Sequence, residues 1–447
     1  MKIPEKAPYL GEIDKNDFQN FMKQLATLTR SDDFKKLTNK ANAEYLYWDR
    51  FKYVELPEGI RPEFAWLTLK ISRSGMAKPI QLTTPTGDPF SYWVPDSAQA
   101  ALHFIDQNAG GQILVEEPFH KKEKEHYLMK SIVEEAIASS LIEGAATTRI
   151  KAVEMFKTGR KPHDRGEQMI YNNYLTILRI KDLLDKPLSP EMLREIQGSM
   201  TKDTLEDPSY EGRFRTETDE AIEIADSDGQ VLYVPPPASE IPRLIEDFCA
   251  YANRESEEQF IHPVIKGIIL HFWLAYTHPF MDGNGRTSRA IFYWYLLKQK
   301  YWLFEYLSIS RIILKAPAQY YRAFLYSEMD DGDITYFITF HLGAINLAIK
   351  ELKSYLERKQ KESIDAIRKL SKYPNLNYRQ RALLLYAISH PDELCSFQTH
   401  MKAHRVVYQT ARNDLFDLVN KGFLEKIKIG KKFSFKAVEN LEEKLET

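Results

Sequence analysis

Cysteine is nearly absent. Cys249 and Cys395 are the only two in 447 residues, each alone in its segment. That excludes a disulfide framework and any CxxC-type zinc site, and it fits a reducing compartment. No run of 18 apolar residues occurs, so no ordinary membrane-spanning helix and no membrane partner are expected. The first residues, MKIPEKAPYLGEIDKND, lack the apolar core of a signal peptide. No charge of one sign dominates: 61 Lys and Arg stand against 63 Asp and Glu, a formal net of −2. A chain that coats nucleic acid along its whole length is excluded, although one local basic module can sit inside such a balance. There is no repeat and no low-complexity tract. What is present is ordinary for a cytoplasmic globular chain, with 43% apolar and 28% charged residues. At roughly 100–200 residues per domain the length suits two to four domains.

Three regions are expected, in a mainly α fold. Residues 1–115 read as a mixed α/β region. A helix over 14–37 carries Phe18, Phe21, Met22, Leu25 and Leu28 on one side, and β-like runs at 66–71 and 91–94 are punctuated by Pro and Gly. Residues 116–372 show helical periodicity from about 121–146 to a long helix near 335–370. The stretch 209–239 interrupts it, and Asp226-Ser-Asp-Gly229 between two β-like runs is a hairpin signal. A short linker follows. Residues 373–447 then carry three short helices and two strands joined around Gly430, the pattern of a winged helix.

The chemistry is concentrated in 277–289, THPFMDGNGRTSR. An apolar helix over 263–277 stops at His278, because Pro279 disfavours helical backbone in the residue before it. A loop with two glycines leads into the next helix. Glycines at a helix N-terminus let backbone N–H groups approach an anion that the helix dipole also favours. Arg286 and Arg289 lie three apart, on one face of the first turn. Arginine is unfavourable at that end of a helix, and a polyphosphate ligand would account for two of them. Asp282 can hold a divalent cation, and His278 stands at the mouth as a candidate general base. An EF-hand loop counted from Asp282 fails, since its twelfth position is Tyr293 rather than Glu.

This segment resembles the signature of Fic-domain proteins, HPFx[D/E]GNGRxxR, at every fixed position. The resemblance runs from the helix near 121 to the end of the long helix near 370. It implies a protein adenylyltransferase that moves AMP from ATP to a Ser, Thr or Tyr hydroxyl of a target protein. His278 would deprotonate that hydroxyl. Asp282 would hold Mg²⁺ between the α- and β-phosphates. Gly283, Asn284 and Gly285 would form the anion hole, with Asn284 near the α-phosphate. Arg286 would meet the β-phosphate and Arg289 the γ-phosphate.

Two neighbouring segments extend the resemblance. Gly212-Arg-Phe-Arg215 is similar to the GxYR-like segment ahead of the family's flap, with Phe in place of Tyr. The hairpin within 216–233 would be that flap, which holds the target protein by adding an extended strand. Ser139-Ser-Leu-Ile-Glu143-Gly144 is similar to the family's inhibitory pattern, [S/T]xxxE[G/N]. Ser139 and Glu143 would then belong to an inhibitory helix ahead of the core, with Glu143 paired to Arg289 and blocking the γ-phosphate. The same Glu can instead position a water that removes AMP, and the residues leave both directions open.

In the C-terminal module, residues 396–436 hold nine Lys or Arg and three Asp or Glu, a local +6. Lys402, Arg405 and Arg412 lie on or beside two of its helices, and Lys426, Lys428, Lys431 and Lys432 crowd the wing. DNA is a candidate partner through this face, with Tyr408, Gln409, Arg412 and Asn413 toward a major groove. Asp414 and Asp417 dilute the charge, and a protein contact is the competing expectation. The alternatives are a DNA-binding regulator whose Fic domain senses nucleotide, or a Fic enzyme that removes AMP or uses another nucleotide donor; a second copy of the chain, as a homodimer, is a further candidate partner.

Overall fold

Two capping side chains set the first helices. Asp14 accepts from the Asp17 amide at 2.8 Å and opens α1 (Lys15–Arg30). Ser31 follows the end of α1 and accepts from the Phe34 amide at 3.2 Å, opening α2 (Asp32–Ala43). The single helix expected over 14–37 is therefore two. A one-turn α3 (Trp48–Phe51) precedes α4 (Pro62–Met76). Helix α4 overturns the β-like reading of 66–71. Pro62 sits at the first helical turn, and Phe64, Ala65, Trp66, Leu67 and Leu69 are all buried. A helix buried on most sides shows the same unbroken apolar run as a buried strand, so periodicity alone misassigns it. Strands β1 (Lys78–Thr83) and β2 (Pro89–Tyr92) pair antiparallel, and α5 (Asp96–Ala109) follows.

The structure, a computed structural model, describes residues 3–84, 87–110, 121–225, 229–254, 260–390, 393–429 and 432–445. By packing, the chain divides into two units, Met1–Lys350 and Glu351–Thr447. The division falls inside one long helix, and the boundary expected at 372/373 falls just past that helix's end.

The rest of the first unit is helical apart from one hairpin. It runs through α6 (Lys121–Ile142), α7 (Arg149–Thr158), α8 (Arg165–Ile180) and α9 (Pro190–Thr201). The hairpin of β3 (Ile224–Ala225) and β4 (Val231–Tyr233) comes next. Then follow α10 (Ile241–Asn253), α11 (Pro263–Thr277), α12 (Asn284–Lys298), α13 (Ile309–Lys315), α14 (Pro317–Met329) and the start of α15 (Thr335–Ser371). Residues 264 to 274 of α11 are all buried, Lys266 and His271 included, so this helix is enclosed on every side and α12 packs along it. Residues 3–110 belong to the same packed unit. Tyr45 donates to Asp333 at 2.6 Å, Arg73 donates to the Tyr336 hydroxyl at 3.1 Å, and the Phe90 ring meets Phe272, Trp273 and Tyr276 edge-on.

The second unit contains the end of α15, α16 (Tyr378–Ser389), α17 (Phe397–His404), α18 (Tyr408–Asn420), a hairpin of β5 (Leu424–Ile429) and β6 (Lys432–Ala437), and a last turn α19 (Leu441–Lys444). Its core gathers Leu370, Leu384, Leu415, Leu418, Phe423 and Phe435. Asp414, expected to dilute the basic face, points inward instead. It accepts from Arg379 at 2.6 Å and from Asn377 at 2.7 Å, and His400 Nε2 lies 3.1 Å away. Lys431 and Gly430 lie outside the described residues, as do 226–228 of the expected hairpin turn. Among the described residues the sheets are three two-stranded hairpins, and no helix is long and apolar enough to cross a membrane.

Candidate active site

The loop between α11 and α12 is fixed by its own backbone. His278 ends α11 in the left-handed region, at φ 48°, with its amide bonded to Leu274 O at 3.1 Å. This turn swings the chain away from the helix and leaves the imidazole at the loop's mouth. Phe280 is fully buried and anchors the loop. Asn284 closes the loop, accepting from the Phe280 amide at 2.9 Å and donating to Phe280 O at 2.8 Å. Its side chain therefore shapes the loop from within. Gly283 has φ +84°, and a Cβ there would come within 2.7 Å of Thr201 Cγ2, so glycine is required twice over.

Helix α12 starts without a side-chain cap, leaving its first N–H groups to an outside acceptor. Arg286 is fully buried. It donates to Met200 O at 3.0 Å and approaches Asp282 Oδ1 at 3.4 Å. Arg289 donates from Nε to Ser139 Oγ at 2.8 Å and from Nη2 to Ser139 O at 2.9 Å. The same Nη2 lies 2.9 Å from Glu143 Oε1. Burial works against the charge of both arginines. It wins at Arg286, whose pKa is lowered, while at Arg289 Glu143, Tyr320 and Glu135 together outweigh it and the pKa is raised. Arg286 Nε and Arg289 Nη1 are buried with no partner among the described residues. Such orphaned donors are costly unless a ligand takes them.

Glu143 also touches α12 itself. A Cβ built on Gly285 would come within 2.1 Å of Glu143 Oε1. The carboxylate thus lies against the first turn of α12 as well as against Arg289. Ser139 and Glu143, predicted to share one helical face, both reach the second arginine.

The imidazole of His278 has a defined tautomer. Its Nδ1 lies 3.3 Å from Ala275 O, and a carbonyl can only accept, so Nδ1 carries the hydrogen and Nε2 keeps its lone pair. Burial pushes its pKa down to about 4, so the ring is neutral at pH 7.

Two side chains that position the loop carried no role in the sequence reading. Gln197, fully buried on α9, donates to Asp282 O at 2.9 Å and accepts from the Gly212 amide at 2.7 Å. Arg215 donates to His278 O at 2.7 Å and to Thr277 O at 3.3 Å, and it also reaches Pro236 O beyond the hairpin. It therefore ties the backbone of the loop after α11 to both ends of the hairpin segment. The GRFR segment was visible in sequence, but nothing there indicated where Arg215 points. At the hairpin, Arg213 forms a two-pronged pair with Asp219 at 2.8 and 2.9 Å, and Tyr233 donates to Tyr276 O at 3.0 Å.

Asp282 stands on the loop just before α12, beside Arg286. Among the described residues its Oδ2 has a 3.9 Å contact to Arg165, and its side chain is 40% exposed. Among the described residues no group of three or more His, Cys, Asp or Glu is arranged to hold a metal. Such a donor set suits a cation whose remaining ligands are phosphate oxygens and water, the habit of Mg²⁺.

The loop thus gathers an uncapped helix N-terminus, two buried arginines with unpartnered donors and a neutral imidazole. Residues 187–296 match the Fic/DOC family and form a Fic/DOC family domain. Among curated proteins, "Protein adenylyltransferase Fic" of Drosophila yakuba is 27% identical over 258 residues, which is 55% of this chain and 44% of that protein. The protein of the same name in Drosophila grimshawi is 33% identical over 108 residues, 24% of this chain and 20% of that one. The chain thus spans about half the length of the curated relatives it matches. Among solved structures, a Fic family protein from Desulfovibrio desulfuricans is 22% identical with a TM-score of 0.49, over 76% of this chain and 94% of that one.

Proposed function

We propose that this chain is a protein adenylyltransferase held in check by its own Glu143. It moves AMP from ATP to a Ser, Thr or Tyr hydroxyl of a target protein and releases pyrophosphate. The observation that carries the reading is the state of the α12 N-terminus. Its uncapped turn and both arginines form an anion site, and Glu143 already stands in it.

In the reaction, His278 Nε2 takes the proton of the incoming hydroxyl as its oxygen attacks the α-phosphorus. The first N–H groups of α12 stabilise the charge gathering on the α-phosphoryl oxygens, and Arg286 and Arg289 hold the β- and γ-phosphates so that pyrophosphate leaves in line. Asp282 would hold Mg²⁺, which when bound neutralises phosphate charge. Arg215 keeps the His278 carbonyl, and through it the imidazole, in register with the hairpin along which the target peptide would lie. With Glu143 on Arg289, the γ-phosphate has no counter-charge and ATP cannot seat for in-line attack.

The C-terminal unit is read as a winged helix. With Asp414 turned inward and Asp417 paired to Lys421, the exposed face of α18 carries Gln409, Arg412 and Asn413 beside the basic hairpin. That favours nucleic-acid phosphates as a further partner. A reducing cytoplasmic setting suits two cysteines that are both free.

The test is incubation of the protein with labelled ATP, UTP, GTP or CTP and Mg²⁺, followed by mass spectrometry. The reading expects an added AMP on a hydroxyl residue, absent in His278→Ala. No transfer by either wild type or Glu143→Gly from any nucleotide would overturn it.

A further inference from the structure

Glu135 is an acid that the proposed reaction does not use, yet it is 3% exposed on α6, the helix that carries the inhibitory pair. A buried carboxylate is destabilising unless donors surround it. Here they come from the entrance of α13. Ser308 Oγ donates to Glu135 Oε2 at 2.9 Å and the Ser310 amide donates to the same oxygen at 3.0 Å, while Ser310 Oγ donates to Oε1. The α13 entrance is held from α12 as well, because the Tyr293 hydroxyl accepts from the Ile309 amide at 2.9 Å. Helix α14, which continues from α13, meets α6 again where Tyr321 lies 3.4 Å from Ile142 O.

Glu135 and Ser139 on α6 and Glu143 one residue past its end are spaced four apart, so they continue one stripe. The last two contact Arg289; the first contacts the α13 entrance and the Tyr293 hydroxyl of α12. We propose that Glu135 is a positioning residue for the brake. Its bonds to Ser308 and Ser310 fix the rotation and height of α6, and that placement brings Ser139 and Glu143 onto Arg289. Release of the Glu135 clamp frees the anion site without touching either inhibitory residue. The proposal rests on the reading of Glu143 as a brake, and the α13 entrance becomes the point where a bound partner would switch it.

ATP affinity tests this by calorimetry, with Mg²⁺ and in a His278→Ala background so that no turnover occurs. Glu135→Ala is expected to tighten ATP binding by roughly threefold to tenfold, the upper figure being ~1.4 kcal/mol. Combined with Glu143→Gly it should give no more than Glu143→Gly alone, because both act through one contact. A merely structural residue would lower the melting temperature and leave ATP affinity unchanged or weaker, and that result overturns the proposal. If Glu135→Ala does not fold, Ser308→Ala with Ser310→Ala removes the two hydroxyl bonds from the other side while the Ser310 amide bond stays, and a smaller tightening of the same sign is expected. Tightening by Glu143→Gly without tightening by these variants defeats the clamp alone. No tightening by Glu143→Gly defeats the brake and the clamp together.

Discussion

Glu143 Oε1 lies 2.9 Å from Arg289 Nη2, and the same carboxylate fills the space where a side chain on Gly285 would begin. One acid therefore engages both the guanidinium and the positive end of α12. An anion that enters must displace it from both.

The pH dependence of transfer follows from His278. Burial pushes its pKa down to about 4, so its base form prevails throughout the physiological range. In Glu143→Gly, kcat/KM is expected to be flat from about pH 6 to 8 and to fall as pH drops toward 4, since protonation removes the base. His278→Ala should lower transfer by at least about 10²-fold with ATP affinity retained. A rate limb centred near pH 7 that disappears in His278→Ala would show that the ring is not desolvated as described.

Stability should respond to acid through two further buried imidazoles. His271 and His341 meet edge-on with ring centroids 4.8 Å apart, and burial lowers both pKa values, that of His341 to about 3. The unfolded chain binds their protons near 6.5 and the folded chain does not. Their contribution is therefore complete above about pH 6.5 and is lost as pH falls toward the folded values. The melting temperature should decline between pH 6.5 and 4, and His341→Gln should flatten that decline. An identical slope in the variant would contradict the assignment.

The legibility of this chain in sequence followed the range of each interaction. The loop 278–289 could be located because its anchors are local: Gly283 adopts the left-handed φ, and Asn284 holds Phe280 four residues away, a bond that the expectation of Asn284 near a phosphate did not include. Glu143 and Arg289 are far apart in the chain, and only a motif linked them. Residues 66–71 misled because a strand and a helix buried on most sides show the same apolar run. Gln197, Arg215 and Glu135 act through carbonyls, amides and hydroxyls brought near by packing, which no spacing encodes.

Metal dependence is expected to run through Asp282. Chelation should abolish transfer, and Asp282→Ala should require roughly tenfold more Mg²⁺ for half-maximal rate, the loss of one carboxylate ligand being ~1.4 kcal/mol. Superimposable Mg²⁺ titrations of the two proteins would remove Asp282 from that role.

If the C-terminal unit meets DNA, binding of the full chain to mixed duplex should weaken linearly in log salt, by a slope of about −0.9 per phosphate contacted. Lys426→Ala with Lys428→Ala should reduce that slope by up to about 2. Absence of binding at low salt would assign the exposed Val407 and Tyr408, at 68% and 51%, to a protein contact instead.

The brake is tested most directly by one time course with ATP, Mg²⁺ and four proteins: wild type, Glu143→Gly, Arg289→Ala and the double variant. A charge-assisted bond in a partly buried site is worth about 1.5–3 kcal/mol, so Glu143→Gly should raise adenylylation, self-modification included, by roughly 10- to 150-fold. Arg289→Ala should show no such gain, and the double variant should match it, because the γ-phosphate loses its partner in both. Equal rates for wild type and Glu143→Gly would contradict the account, and a slower Glu143→Gly would make that carboxylate a participant in the chemistry instead of its brake.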